Sequence, residues 1–364
     1  FLLLAGDVYN QEDASVSAQL ALRDGFRRLE SLSIPVFLVH GNHDPLASRL
    51  RSVRWPGNVT VFGELPDAVP VFRKGEGTPL AIIHGASHAS GRETRNLAAL
   101  FRRTEACGLH VGLLHATPGD ADGVARYAPF SQEDLKASGM DYWALGHIHD
   151  RREVCREPLA AYPGCTQGLH INEPGEKGCL LVTAEARPDG GYAVRTSFRP
   201  LGPAVWKTLD MDLGGAASLD ELENRLRTGL DRAAAEVWSG CEMLLVRLRL
   251  QGRTELDGLL RKGTTCAELA DRLREDGSGV PRIWIKDIDV ATRPCVERGA
   301  LLEREDLLGE VFRLSEAART ASGLQALREG PLAPLFAHAR AGKALEPLTD
   351  EELARLLDDA ESLC

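Results

Sequence analysis

The first half of the chain alternates between short apolar runs and segments with helical spacing. The apolar runs are uninterrupted, as expected of strands buried on both faces of a sheet. Among the segments between them, residues 16–32 place Leu22, Phe26 and Leu29 on one helical face. This alternation predicts an α/β domain around a largely buried sheet. The apolar runs lie at residues 1–6, 34–40, 79–87, 110–116 and 141–149, and the other predicted helices lie at 94–103 and 130–139.

The pattern changes after residue 150. The segments AAYPG, KGCLLVTAE and YAVRTSFRPL have the composition of more exposed strands and predict a second sheet. The stretch RPLGP, residues 199–203, then marks a domain boundary, because proline and glycine interrupt regular structure. We predict a domain at residues 1–200, a smaller α+β capping domain at 204–298 and a helical C-terminal region at 299–364.

The last two parts contain local signals of their own. A capping box from Ser218 to Glu221 opens a predicted helix, and the strands CEMLLVRLRL and RIWIKDIDV follow it. The C-terminal region has apolar residues at helical spacing, a pattern that more often packs inside a domain than against a partner. Little sequence remains for such packing, so we expect this stripe to stay exposed for a partner. The stripe comprises Leu307, Leu308, Val311, Leu314, Leu353, Leu356 and Leu357.

Composition narrows the class of protein. The chain has 364 residues and a formal net charge of −10, which argues against a protein that coats nucleic acid through bulk charge. An enzyme that meets phosphate through metal ions remains compatible with this charge. The eight cysteines form no CxxC pair, so we expect no zinc ribbon, reduced thiols and a cytoplasmic protein. No apolar run reaches the ~20 residues of a membrane helix.

Polar residues follow the predicted strands at the points where these strands end. Asp7 follows the first run, Asn42 follows the second, and His115 follows the fourth. His147 and His149 are two residues apart at the end of the fifth, so we expect both side chains on one face. Ligands of open α/β sheets gather beyond the carboxyl ends of the strands. The residues are therefore expected to converge on one rim.

Each of these residues also has a structural interpretation. Asp7 and the stretch GNHD at 41–44 could be ordinary turn formers, and His115 could be a buried histidine bonded to backbone. The recurrence of such residues at successive strand ends favours a metal site. Imidazole, carboxylate and amide ligands together suit Mn²⁺, Zn²⁺ or Fe²⁺. One aspartate among several histidines suggests a carboxylate that bridges two ions, an arrangement used for phosphoester hydrolysis.

The turn after the second strand places a candidate metal ligand next to a candidate proton donor. Asn42 offers a neutral oxygen ligand, which leaves its neighbour His43 available to the substrate. We expect His43 to stabilise charge on phosphorus or to protonate the leaving oxygen. Asp44 is expected to support the site from a second shell, or simply to form the turn, rather than to bind metal.

The order GD, GNHD, His115 and GHIH resembles the calcineurin-like metallophosphoesterases. RYAPFSQEDL (126–135), DYWALGHIH (141–149) and AYPGCTQGLHINEPGEKGCLLV (161–182) are similar to the DNA repair exonuclease branch of that family, which includes SbcD and YhaO-type proteins. The similarity to YhaO-type chains extends to LLVRLRLQGRTEL (244–256). The resemblance implies an α/β/β/α sandwich and a metal-dependent DNA exonuclease or endonuclease that hydrolyses phosphodiester bonds with a metal-activated water.

The resemblance also implies a role for each site residue. Asp7 would bridge two divalent ions, expected to be Mn²⁺, and Asn42, His115 and His147 would complete one of the two sites. His149 would belong to the other site, and His43 would be the catalytic histidine. The family's D-x-H motif, which supplies an Asp and a His on the preceding strand, is absent from the chain. We therefore expect an N-terminally truncated sequence in which only one metal site is complete.

The resemblance leaves three functions open. The first is the DNA nuclease, working with DNA and an SbcC-like coiled-coil ATPase subunit, with a homodimer as an open alternative and no membrane. The second is a phosphoesterase of the same fold acting on a small phosphoester, because fold does not decide substrate. The third is a non-catalytic scaffold for the ATPase, suggested by the incomplete first metal site.

Overall fold

The computed structural model describes residues 1–9, 15–48, 53–120, 125–188, 190–275, 279–295, 298–338 and 348–361. The chain divides into two compact units. The first consists of Phe1–Trp206 and Val237–Met243, and the second of Lys207–Glu236 and Leu244–Cys364. None of the helices in the described ranges combines the length and the apolar character needed to span a bilayer.

The first unit is built on two sheets and a hairpin. A three-stranded parallel sheet has the order β1-β2-β3, and a six-stranded mixed sheet has the order β4-β5-β6-β7-β9-β8. An antiparallel pair, β10 and β11, forms a further small sheet. The first sheet contains β1 (Leu2–Ala5), β2 (Val36–Val39) and β3 (Val59–Val61). The second contains β4 (Asp67–Phe72), β5 (Pro79–Ala86), β6 (Leu109–His115), β7 (Tyr142–Gly146), β8 (Arg152–Arg156) and β9 (Leu159–Tyr162). The pair is β10 (Gly178–Ala186) and β11 (Tyr192–Pro200).

The two larger sheets pack face to face, and helices cover their outer faces. Phe37 of β2 lies in one buried cluster with Ile83 and Val111 of the second sheet. On the outer side of the first sheet, α1 (Val16–Ser31) buries Phe26 against β2. On the outer side of the second sheet, α2 (Gln132–Ala137) belongs to the cluster around Trp143. These layers confirm the predicted α/β sandwich.

Local capping signals explain where the helices begin. The Ser15 side chain accepts a hydrogen bond from the Ala18 amide at the start of α1. Ser131 and Asp134 form a reciprocal capping box at the start of α2, so two otherwise unpaired backbone donors are satisfied. The predicted helix at 94–103 was wrong, because only Ala98–Leu100 forms a short 3-10 turn there. Leu97, Ala98 and Phe101 are buried, so this segment packs into the core without forming a longer helix.

The second unit holds most of a three-stranded sheet with the order β12-β13-β15. As expected, Ser218 caps the following helix by accepting a hydrogen bond from the Glu221 amide. The strands are β12 (Ala204–Asp212), β13 (Met243–Gln251) and β15 (Arg282–Val290), with β14 (Arg253–Thr254) and β16 (Arg293–Pro294) as a short parallel pair. The helices are α3 (Leu219–Ala235), α4 (Asp257–Leu260) and α5 (Thr265–Glu275).

The C-terminal helices bury part of their apolar surface among themselves. Phe312, Leu324 and Leu353 are all buried, and the buried Ser315 hydroxyl bonds the Glu361 carboxylate at 2.5 Å. Of the predicted leucine stripe, Leu353 is buried among these helices, so the expected exposure was wrong at that position. Leu307, Leu314 and Leu356 are exposed as expected. The helices are α6 (Arg298–Leu302), α7 (Leu307–Ala318), α8 (Ala321–Glu329), α9 (Ala333–Ala337) and α10 (Asp350–Glu361).

Two buried histidines on neighbouring strands of the first unit form a hydrogen-bonded pair. His84 Nε2 lies 2.9 Å from His110 Nδ1, and His110 Nε2 lies 2.9 Å from the Ala106 carbonyl oxygen. His110 must therefore donate from Nε2 and accept at Nδ1, a pattern that only the neutral ring allows. Burial is the first cause that lowers the pKa of His84, to about 4, and burial also lowers the pKa of His110.

We expect the free energy of unfolding to fall as the pH drops from about 6.5 toward 4. The unfolded chain binds protons at these histidines more readily than the folded chain does, so stability is lost on acidification. Each histidine adds at most about 1.4 kcal/mol per pH unit to the slope. Urea melts at several pH values would measure it, and His84→Asn should flatten the slope. An unchanged slope in this variant would contradict the assignment.

Candidate metal centre

Glycines let the ends of three strands approach closely. A side-chain carbon on Gly146 would lie 1.9 Å from the Ala5 carbonyl oxygen, and one on Gly41 would lie 2.2 Å from Asp7 Oδ1. Gly6 has a φ of +86°, and a side chain there would meet the His115 ring. Only glycine tolerates these contacts. The end of β7 can therefore reach the end of β1, which brings the predicted polar residues together.

A buried carboxylate holds the turn after β1 in shape. Asp7 has a φ of 48°, a left-handed conformation that is costly for most residues. Asp44 Oδ1 accepts hydrogen bonds from the amides of Asp7 at 3.2 Å and Gly41 at 2.8 Å, and Asp44 Oδ2 accepts one from Val8 at 2.9 Å. The Asp44 side chain is 1% exposed. It therefore supports the loops that carry Asp7 and Asn42.

Four side chains from four strand ends converge. One ligand atom each from Asp7, His115 and His147 lies within 4.8 Å of the others. His115 Nε2 lies 3.2 Å from Asp7 Oδ2 and 3.0 Å from Asn42 Oδ1. His147 Nδ1 lies 3.2 Å from the same Asn42 oxygen. The structure thus brings Asp7, Asn42, His115 and His147 together on one rim.

Backbone carbonyls orient both imidazoles toward the centre of this group. His115 Nδ1 lies 2.8 Å from the Ala5 carbonyl oxygen, and His147 Nε2 lies 3.2 Å from that of Ala125. A ring nitrogen beside a carbonyl carries the hydrogen, so His115 Nε2 and His147 Nδ1 keep their lone pairs. These lone pairs face the carboxylate and amide oxygens. Such a donor set fits a divalent cation of the Mn²⁺, Fe²⁺ or Zn²⁺ type.

The electrostatics of the group also suit a cation. Burial raises the pKa of Asp7, but the neighbouring His115 ring and the hydrogen bond from the His43 amide outweigh it and leave this pKa below the usual value. Burial lowers the pKa of His147 to about 4. Asp7 is therefore anionic and His147 neutral at physiological pH, which are the forms that bind metal.

His43 lies at the rim in a different way from the four converging residues. Its backbone amide donates a hydrogen bond to Asp7 Oδ1 at 2.8 Å, while the residue as a whole is exposed. The backbone of His43 therefore helps to orient Asp7. The imidazole stays accessible to a molecule that approaches the centre from solvent.

The structure does not bring His149 into this group. Strand β7 ends at Gly146, and His147 follows with a φ of 100°. The expectation that His147 and His149 share a strand face was wrong, because the chain has already left the strand. His149 Nδ1 instead lies 2.5 Å from Glu173 Oε1, and the same cluster includes Cys165.

Two aromatic neighbours of the site were not predicted from the sequence. His88 is completely buried, and its Nε2 lies 2.7 Å from the His115 carbonyl oxygen. The Tyr127 ring lies 5.3 Å from the His147 ring, measured between centroids, in an edge-to-face arrangement. A polar residue beyond the third apolar run was the available signal for His88. Nothing in the sequence pattern pointed to Tyr127.

Two family models match different parts of the chain. Residues 1–151 match the family model for calcineurin-like phosphoesterases, and residues 206–293 match the model for the middle domain of metallophosphoesterase YhaO. The chain is 33% identical to "Uncharacterized metallophosphoesterase YhaO" of Bacillus subtilis over 91% of this chain and 79% of that protein. It is 24% identical to "DNA double-strand break repair protein Mre11" of Haloferax volcanii over 86% of this chain and 68% of that protein. The chain belongs to the calcineurin-like phosphoesterase family of metallophosphoesterases.

Proposed function

We propose that this metallophosphoesterase is a DNA nuclease that hydrolyses phosphodiester bonds in DNA repair. The observation that carries the hydrolytic part is the convergence of Asp7, Asn42, His115 and His147 beside an exposed His43. The choice of DNA is supported by the similarity to the Haloferax protein, whose name is DNA double-strand break repair protein Mre11.

Asp7, Asn42, His115 and His147 are the residues that would hold a divalent cation, for which we propose Mn²⁺. A cation bound there supplies Lewis acidity toward a phosphoryl oxygen and makes water a better nucleophile near neutral pH. The protein's own part is to keep these ligands in place. The Ala5 and Ala125 carbonyls fix the two rings, and Asp44 fixes the turn that carries Asp7.

His43 is the group that we propose to act on the substrate itself. Its backbone is fixed by the hydrogen bond to Asp7, so the imidazole starts close to the centre without being one of its ligands. An imidazole in this position can stabilise charge on the phosphoryl group and deliver a proton to the leaving oxygen. The leaving group in DNA cleavage is a sugar oxygen, which departs as an alkoxide unless it receives that proton.

The test is cleavage of linear DNA in Mn²⁺ by the intact chain and by its Asp7→Asn variant. We expect the intact chain to degrade DNA and the variant not to. A chelator that removes Mn²⁺ should abolish the degradation. A small phosphomonoester and a small phosphodiester serve as comparison substrates. Hydrolysis of the monoester without cleavage of DNA would contradict the proposed nuclease activity. It would favour a phosphoesterase that acts on small phosphoesters. Absence of any hydrolysis in Mn²⁺, Fe²⁺ or Zn²⁺ would favour the scaffold.

We further propose an SbcC-like coiled-coil ATPase as the partner, bound through the C-terminal helices. The support is apolar surface left over after these helices have packed together. Leu307 and Leu314 on α7 are 81% and 62% exposed. An amphipathic helix with exposed leucines suits docking on a partner's helices or groove. Since the net charge of −10 repels phosphate, part of the DNA affinity would come from this partner.

The double substitution Leu307→Asp with Leu314→Asp is expected to weaken binding to the ATPase at least tenfold. Both side chains are exposed, so the variant should melt like the intact chain and still hydrolyse a small diester. Leu219→Asp, at another exposed leucine of the second unit, is the control. Isothermal titration with the purified ATPase measures the affinities. Equal affinity of the double variant and the control would show that α7 does not contact the ATPase.

A further inference from the structure

Two loops beside the four converging residues carry a local excess of positive charge. Residues 87–96 contain Arg92, Arg95 and a single acidic residue, Glu93. Residues 125–130 contain Arg126 and no acidic residue. Both loops are therefore positively charged, although the chain as a whole has a net charge of −10.

Each loop is tied to one of the two histidines that converge with Asp7. In the first loop, Nε2 of the buried His88 lies 2.7 Å from the His115 carbonyl oxygen. In the second loop, the Ala125 carbonyl oxygen lies 3.2 Å from His147 Nε2, and Arg126 is the next residue in the chain. The second loop therefore places an arginine one residue away from a direct contact with the site.

A backbone hydrogen bond joins the two loops to each other. The Ala128 amide donates to the Glu93 carbonyl oxygen at 2.9 Å. Arg92 precedes one end of this bond by one residue, and Arg126 precedes the other end by two. Both arginines are exposed. Their backbones are therefore held close together at the rim, while their side chains can reach into solvent.

The charges of Arg92 and Arg126 are not used inside the protein. Arg95 Nε and Nη2 contact the two oxygens of the buried Glu93 carboxylate at 2.9 Å and 2.7 Å, so this pair neutralises itself. In the part of the chain that the structure describes, neither Arg92 nor Arg126 forms an ion pair. A guanidinium group stays charged at neutral pH, and its paired N–H donors match the oxygens of a phosphate.

We propose that Arg92 and Arg126 bind phosphates of a DNA strand next to the phosphodiester that is cleaved. This inference rests on the proposed function and names the residues that hold its substrate. A small phosphodiester has no neighbouring phosphates, so the two arginines would favour a polynucleotide over a small ester. Contacts to phosphate position a nucleic acid without reading its bases. The two loops would also give a chain of net negative charge a local attraction for DNA.

Binding of a fluorescent single-stranded oligonucleotide, measured by anisotropy in the presence of a metal chelator, tests the inference without hydrolysis. The double substitution Arg92→Gln with Arg126→Gln should weaken binding at least tenfold at low salt. The slope of log affinity against log salt concentration should become shallower by about 1.4, because each phosphate contact adds about 0.7 on a single strand. Replacement of both arginines by lysine keeps the charges and should keep the slope.

Arg187→Gln is the matched control. Arg187 is exposed and, among the described residues, likewise forms no ion pair. It follows the far end of the nine-residue strand β10, roughly 30 Å along the strand from Gly178. Gly178 lies beside the turn after β7, because its amide donates to the Cys165 carbonyl and the Cys165 amide donates to the His149 carbonyl. The control should therefore keep both the affinity and the slope.

The outcomes separate this inference from the proposed function. An unchanged affinity or slope in the glutamine double variant, an equal loss in Arg187→Gln, or no measurable binding by the intact chain would overturn the inference. Binding that depends on both arginines without cleavage in Mn²⁺ would contradict the proposed nuclease alone. Thermal melts check folding. If the double variant does not fold, each single substitution should give about half of the change in slope, and no change in either would overturn the inference.

Discussion

Asp7→Asn is expected to lower metal-dependent phosphodiester hydrolysis by about a thousandfold or more. Loss of roughly 4 kcal/mol of transition-state stabilisation corresponds to that factor, and metal ions supply several kcal/mol in such sites. The carboxylate is the single anion among the four converging ligands, so its neutralisation removes the strongest attraction for a cation. Mn²⁺ binding measured by titration calorimetry should weaken together with the rate.

Asparagine is the right replacement because it leaves the backbone undisturbed. Asp7 has a φ of 48°, which asparagine tolerates better than alanine does. The oxygen that accepts the His43 amide can remain in place. The other oxygen becomes an amide nitrogen, which can donate to the lone pair of His115 Nε2, 3.2 Å away. The variant should therefore fold normally. In its metal site, the new amide would bond to His115, so that His115 Nε2 is no longer free to bind a cation.

The exposed carboxylate of Asp24, on α1 of the same unit, provides the control for a simple change of charge. Asp24→Asn should keep both Mn²⁺ binding and hydrolysis. If Asp7→Asn lost hydrolysis while binding Mn²⁺ as tightly as the control, Asp7 would act on the substrate rather than hold metal. Retained hydrolysis in Asp7→Asn would show that the four converging residues are not the catalytic site.

The convergence of the site could be predicted because it depends on strand order and strand ends. Buried parallel strands appear in the sequence as uninterrupted apolar runs, and the residue after each run lies at a common edge. Asp7, Asn42, His115 and His147 could be found on that basis alone. The helix start at Ser218 was equally visible, because this N-cap depends on residues only three positions apart.

Features that depend on contacts distant in sequence could not be predicted. The position of His149 depends on where β7 ends and on Glu173, which lies 24 residues away. The failed helix at 94–103 has good helical spacing, but its apolar residues are used to fill the core around Trp143. A periodic pattern shows which residues are buried more reliably than it shows the backbone that buries them.

The same limit applies to the C-terminal helices. Their leucines are visible as a stripe, but the pairing of α7 with α10 through Ser315 and Glu361 is not. A stripe alone cannot separate leucines that pack within a unit from leucines that remain exposed. Only the structure assigns Leu353 to the first class and Leu307 to the second.

His43→Ala is expected to lower the rate of DNA cleavage by about 10²–10⁴ while leaving Mn²⁺ binding unchanged. The backbone amide of residue 43 still donates to Asp7 in this variant, so the metal ligands keep their orientation. The side chain is exposed, so its removal leaves no buried cavity and should not change the melting temperature. The loss therefore reports on what the imidazole does to the substrate.

The leaving group decides between the two roles of His43. A nitrophenolate leaves without a proton, whereas the alkoxide of a DNA strand requires one. If His43 is the acid, a nitrophenyl phosphodiester should lose much less rate than DNA does in His43→Ala. If His43 only stabilises charge on the phosphoryl group, both substrates should lose rate equally. A fall in Mn²⁺ affinity as large as the fall in rate would contradict both roles, because His43 would then be a ligand of the metal itself.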